Sequence, residues 1–153
     1  MSKVAIVMGS GKDRPVMAKA GEMLDRFGVE YTQQVMSAHK TPDVAIEFAA
    51  SARHNGYSII IAGAGKAAHL AGVLAAKSTL PVIGVPLSAS LDGMDALLAT
   101  VQMPTGIPVA TVAIDGASNA ALLAVAILAV GDEHLQTELA EYRRELAETT
   151  LAG

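Results

Sequence analysis

The segment Ser58-Ile59-Ile60-Ile61-Ala62-Gly63-Ala64-Gly65-Lys66-Ala67-Ala68-His69-Leu70 opens on an unbroken apolar run, crosses a glycine-rich turn and enters an alanine-rich stretch. The apolar run does not alternate with polar residues, as expected of a parallel strand buried on both faces. The glycines mark a tight turn, and the alanine-rich stretch after it has the composition of a helix. The same unit recurs on either side of it. With this strand at 58–62, others are predicted at 4–8, 30–36, 82–85 and 109–114. Helices are predicted at 15–27, 42–55, 67–78, 93–102 and 118–130. Asp13 before Pro15 and Thr41 before Pro42 are candidate helix caps, and Gly28 and Gly56 candidate stops. Five strand–helix alternations describe an α/β class, an open parallel sheet with helices on both faces. The expected organisation is a single catalytic domain over residues 1–153.

Composition narrows the function classes. Hydrophobic residues make up 52% of the 153 and charged residues 17%, with a formal net charge of -4. The usual charged share is about 25%, so disorder is excluded. The acidic balance and the lack of a Lys/Arg cluster argue against nucleic-acid binding. The absence of cysteine excludes a disulfide scaffold and a thiol nucleophile. The longest apolar run, 120–130, is shorter than the roughly 20 residues that a bilayer span needs. The N-terminal MSKVAIVMG enters a strand at once, with no signal-peptide pattern. A cytoplasmic protein without membrane contact is expected.

Two features leave apolar surface to place. Between 78 and 131 the only ionisable side chains are Asp92, Asp95 and Asp115, which is too few for a solvated face and points to a homo-oligomer. Segment 132–150 is charged and amphipathic, with Leu135, Leu139, Tyr142 and Leu146 in one stripe. That stripe packs either on its own domain or on a neighbouring subunit, and the second is expected.

In an open parallel sheet, ligands bind beyond the carboxyl ends of the strands. After the first strand comes Gly9-Ser10-Gly11-Lys12-Asp13, whose small residues let backbone N–H groups approach an anion. It is neither a Walker loop nor GxGxxG, so an ordinary turn remains open there. After the second strand comes Ser37-Ala38-His39-Lys40-Thr41-Pro42. His39 can exchange a proton near neutral pH, while Lys40 can hold a phosphate or carboxylate. After the third strand, Gly63, Gly65, Lys66, His69 and Leu70 repeat the combination of glycine, lysine and histidine. These loops are expected to converge on an anionic ligand. The loop 85–93 is small and polar, and Gln102 and Met103 either line a pocket or form a structural turn. His54 and His134 are expected on the surface, away from this end. His39 and His69 lack helical metal-pair spacing and have no accompanying carboxylate cluster, so no metal site is expected.

The motifs MGSGKD, SAHKTP, GAGKAAHLAG, LPVIGVP, VQMPTGIPVAT and NAALLA run in order from Met8 to Ala124. Together they resemble the catalytic subunit of the phosphoribosylaminoimidazole carboxylase family, whose common bacterial form is a 5-(carboxyamino)imidazole ribonucleotide mutase. The resemblance covers nearly the whole chain. It implies a three-layer αβα sandwich with a flavodoxin/Rossmann-like sheet and an extra C-terminal helix. It also implies a homo-octamer with shared sites and no metal or organic cofactor. The implied substrate is a phosphoribosyl-imidazole, with CO2 as the migrating group. By motif, His39 would be the acid/base, Ser10 would lie near the phosphate, Asp13 at the ribose and Lys40 on the phosphate. Gly9, Ser37 and Ala38 would line the site, and the loop from Gly63 to Leu70 would close over the imidazole and its carboxylate.

Three positions depart from the mutase pattern: Lys40 stands for Arg, Lys66 for Gly and Ala71 for Pro. The related carboxylase form, which takes CO2 directly, usually has Lys at the first of these. The full-length loop with His69-Leu70 favours the mutase. A non-catalytic nucleotide-binding paralogue is disfavoured by His39, and a dinucleotide oxidoreductase by the missing GxGxxG and the lack of an acidic residue ending the second strand.

Overall fold

Strands form at Lys3–Met8 (β1), Glu30–Val35 (β2), Tyr57–Gly65 (β3), Val82–Leu87 (β4) and Ala110–Thr111 (β5). Helices form at Arg14–Arg26 (α1), Pro42–Ser51 (α2), Leu70–Lys77 (α3), Met94–Val101 (α4), Ala117–Ala129 (α5) and Glu133–Leu151 (α6). These elements come from a computed structural model that describes residues 2–153. All strand pairs are parallel, in the order β2-β1-β3-β4-β5. The order reverses direction between β1 and β3, where a crevice opens at the strand ends.

Alternation along the central strands divides the core in two. Val4, Ile6 and Met8 of β1 and Ile59 and Ile61 of β3 face Met17, Ala20 and Leu24 of α1 and the alanines of α5. Ala5, Val7, Ile60 and Ala62 point the opposite way, toward Ala45 and Ala49 of α2 and Leu70 and Leu74 of α3. Both faces of these strands are therefore buried, which is why their sequence reads as continuous apolar runs. Strand β2 (EYTQQV) mixes polar and apolar residues because it is an edge, with no fully buried position. Gly28 and Gly56, the expected stops, both adopt positive φ, 65° and 84°.

Several expectations shift for local reasons: α2 ends at Ser51 rather than at 55, and β3 runs on to Gly65 rather than stopping at 62. The ladder of β5 covers two residues rather than the predicted 109–114. Beyond it the chain stays against β4 through Val112 N–H to the Gly84 carbonyl (3.1 Å) and Asp115 N–H to the Pro86 carbonyl (2.8 Å). Helix α3 begins at Leu70, not at 67, because Lys66 takes φ 53° and the next residues form two tight turns. Asp13 and Thr41, expected as caps, make no side-chain cap bond to their helices. Both are spent on the loops before them.

Helix α6 lies against its own chain over its first half. Leu135 is buried, and Leu139 and Tyr142 pack on the same core as α1 and α5. The Tyr142 ring meets Phe27 at 5.7 Å and carries the Arg26 guanidinium at 5.0 Å, while Arg26 also pairs with Glu145. Leu146 and Leu151, farther along the same helix, remain exposed. Among the described residues no helix is long and apolar enough to cross a membrane.

Candidate active site

The ends of β1, β2, β3 and β4 enclose a cavity of about 670 Å3. Ser10, Asp13, Ser37, Ala38, His39 and Lys40 line it, with Gly9, Gly65, Lys66, His69 and Leu70. Three loops far apart in sequence therefore meet, as expected of strand ends in a parallel sheet.

Each loop is braced from within. In the first, Ser10 N–H donates to the Asp13 carboxylate (3.1 Å) while Lys12 N–H donates to the Ser10 hydroxyl (3.2 Å). This reciprocal arrangement closes a single helical turn at Gly11–Asp13. Burial raises the Asp13 carboxyl above its ordinary value, partly offset by the Ser10 N–H. In the second loop, Ser37 N–H donates to the Thr41 hydroxyl (2.8 Å), which donates back to the Ser37 carbonyl (3.1 Å). Lys40 N–H donates to the Ser37 hydroxyl (3.1 Å). The backbone is thus tied down, and the side chains of His39 and Lys40 project into the open.

The third loop supplies the decisive contact. His39 Nε2 lies 2.7 Å from His69 Nδ1, with the two rings nearly perpendicular at 84°. One ring must donate and the other accept, so the pair holds a proton between two bases. His69 sits at the start of α3, held there by two consecutive tight turns: Ala68 N–H to the Lys66 carbonyl and His69 N–H to the Ala67 carbonyl, both 2.8 Å. Each turn spans only three residues, which leaves loop 66–69 unwound, with Lys66, Ala67 and His69 exposed and Ala68 buried.

Gly63 is the expected site residue that the structure does not bring to the cavity. It faces α1, where Met17 fills the space a side chain would need, and its carbonyl accepts Gly9 N–H at 3.1 Å. Gly65 is required by a different contact, since a Cβ there would stand 2.9 Å from Ala89 Cβ. Gly9 is under no such pressure, its nearest neighbour being Ala64 Cβ at 3.8 Å. Met103 packs toward Gly72 of α3 and does not line the cavity. His54 and His134 are exposed and remote from it.

Residue-by-residue reading missed part of the wall. Ser88 and Ala89 line the cavity from the β4 side, and Ser88 N–H donates to Asp115 at 2.9 Å. Their small, polar sequence offered the only signal. Lys12 also lines the cavity, so three lysines and two histidines face one aspartate there, in a chain whose net charge is -4. Such a site favours an anion, and its two paired bases can move a proton on that anion. Among the described residues no third histidine or carboxylate joins the pair to form a metal-ligand cluster.

Known proteins share this arrangement of sheet and chain. An N5-carboxyaminoimidazole ribonucleotide mutase from Pyrococcus abyssi is 54% identical over 147 residues, which is 95% of this chain and 84% of that protein. A chloroplastic phosphoribosylaminoimidazole carboxylase from Vigna aconitifolia is 49% identical over 97% of this chain, although the match spans only 27% of that longer protein. The crystal structure of Treponema denticola PurE superposes with a TM-score of 0.88 at 28% identity, covering 99% of this chain and 96% of that one. The family model described as AIR carboxylase matches residues 3–149, and on that near-complete match the chain belongs to the AIR carboxylase family.

Proposed function

We propose that the chain interconverts 5-carboxyamino-1-(5-phospho-D-ribosyl)imidazole and 5-amino-1-(5-phospho-D-ribosyl)imidazole-4-carboxylate, a mutase step of purine biosynthesis in the cytoplasm. The observation that carries this reading is the His39–His69 pair at the mouth of a lysine-lined cavity. The C–N bond of the carbamate breaks, CO2 leaves, and the exocyclic nitrogen takes up a proton. Ring carbon C4 then attacks the retained CO2, and the proton on C4 departs to restore aromaticity. One proton is taken and one released, so a pair of bases sharing a proton suits both steps. His39 touches the reacting atoms, and His69 holds and relays. Keeping CO2 beside C4 in a partly enclosed cavity supplies proximity. Ser10, Asp13 and Lys40 bind the phosphoribosyl part.

Purified protein, assayed with the N-carboxylated substrate and separately with aminoimidazole ribonucleotide plus bicarbonate, tests this. Efficient use of the first is expected. Use of only the second would establish the direct carboxylase instead, the reading that Lys40 and the Vigna aconitifolia relative favour.

The working unit is a homo-octamer. Leu91, Met94, Leu98 and Val101 leave an apolar patch around α4, and Leu146 and Leu151 are exposed singly toward the end of α6. Contiguous patches of this kind mark contact surfaces. The far half of α6 reaches a neighbouring subunit. Light scattering should return eight times the 15.6-kDa chain mass; a monomer would contradict it.

A further inference from the structure

Lys66 is placed at a backbone cost. Among the described residues lining the cavity, it alone holds a non-glycine side chain at positive φ, 53°. Glycine adopts that conformation freely and lysine does not. The strain puts an ammonium group on the cavity wall three residues before His69, whose ring meets His39. The ion pairs among the described residues join Arg26 to Glu145 and Arg144 to Glu141 and Glu148, and none uses Lys66. Asp95 is already committed elsewhere, accepting from the Ser90 hydroxyl and from Ala96 N–H. The Ser90 bond is the main cause holding its carboxyl below the ordinary value, and the nearby Lys66 charge contributes.

We propose that Lys66 is a specificity-determining residue that pairs with the substrate's carboxylate, distinguishing the carboxylated ribonucleotide from the uncarboxylated one. This rests on the mutase reading, in which the carboxyl group moves between neighbouring ring substituents beside the histidine pair. A flexible four-carbon stem lets one ammonium follow the group from nitrogen to carbon. Because the charge is present in substrate and product but absent in CO2, Lys66 acts on ground-state binding, so its loss should raise KM without lowering kcat.

The test is calorimetric titration of wild type, Lys66→Met and Lys66→Gly with two probes, aminoimidazole ribonucleotide and its C4-carboxylated counterpart. Both variants are expected to bind the carboxylated probe about tenfold more weakly, the scale of one charge-assisted contact at a half-open site. The uncarboxylated probe should bind unchanged. Lys66→Gly, relieved of the strained φ, should also melt higher than wild type. Equal weakening of both probes, or of neither, overturns the assignment. Should wild type bind neither probe, the mutase reading itself falls and takes this inference with it. Lys66→Met keeps the side-chain bulk, so it still decides the matter if Lys66→Gly perturbs the loop.

Discussion

Gly9 and Gly63 look alike in sequence and do opposite work. A Cβ at Gly63 would collide with Met17, whereas one at Gly9 meets only ordinary contacts. Gly63→Ala should therefore lower thermal stability, by roughly 1–3 kcal/mol for an overpacked position. Gly9→Ala should melt like wild type but bind ribonucleotide more weakly, because the added methyl occupies the cavity. Parallel melting and titration of the two variants would check this. Asp13 offers a pH test. Its folded-state value is raised by burial above the ordinary 3.8, so protonation favours the fold. That contribution is complete below 3.8 and is lost as pH rises through the folded-state value. Asp13→Asn removes the cost of burying the charge and can still accept Ser10 N–H. The variant should melt at least as high as wild type at pH 7, and the gap should close below about pH 3.8.

Loops and helices were legible to different degrees. The apolar runs located the central strands, because burial on both faces constrains every residue along them, whereas the edge strand β2 showed no such run. The ends were less legible, since they depend on what the neighbouring loop needs. Thr41 and Asp13 have the residue types of helix caps, yet each makes its bonds back into a site loop. Likewise the late start of α3 stems from the positive φ of Lys66, a residue type that gives no hint of that conformation. Helix α6 shows the limit of a stripe: spacing identified the buried side, but the partner surface comes from tertiary packing. Tyr142→Ala removes the Phe27 and Arg26 ring contacts. It should cost about 2 kcal/mol, lowering the melting temperature by roughly 6 °C. The drop should appear at every protein concentration, because these contacts lie within one chain.

At the scale of the whole molecule, the shortage of charge divides into two parts. Much of the 78–131 segment is buried within the chain, with the alanines of α5 against the sheet. The remainder, around α4, stays exposed, and it is the surface that the proposed assembly would cover. Composition revealed the excess, and only the fold shows which residues carry it. The site was legible as three loops, because strand ends in a parallel sheet must converge. That His39 and His69 touch was not legible, since thirty residues and a crossover helix separate them. This contact is the basis of the proposed chemistry, and His39→Asn addresses it directly. Turnover of the N-carboxylated substrate and ribonucleotide affinity should be measured on the same preparation of that variant. Turnover is expected to fall by about 100-fold or more, the scale of a lost acid/base, with affinity changed little. Near-normal turnover would contradict the acid/base role of His39.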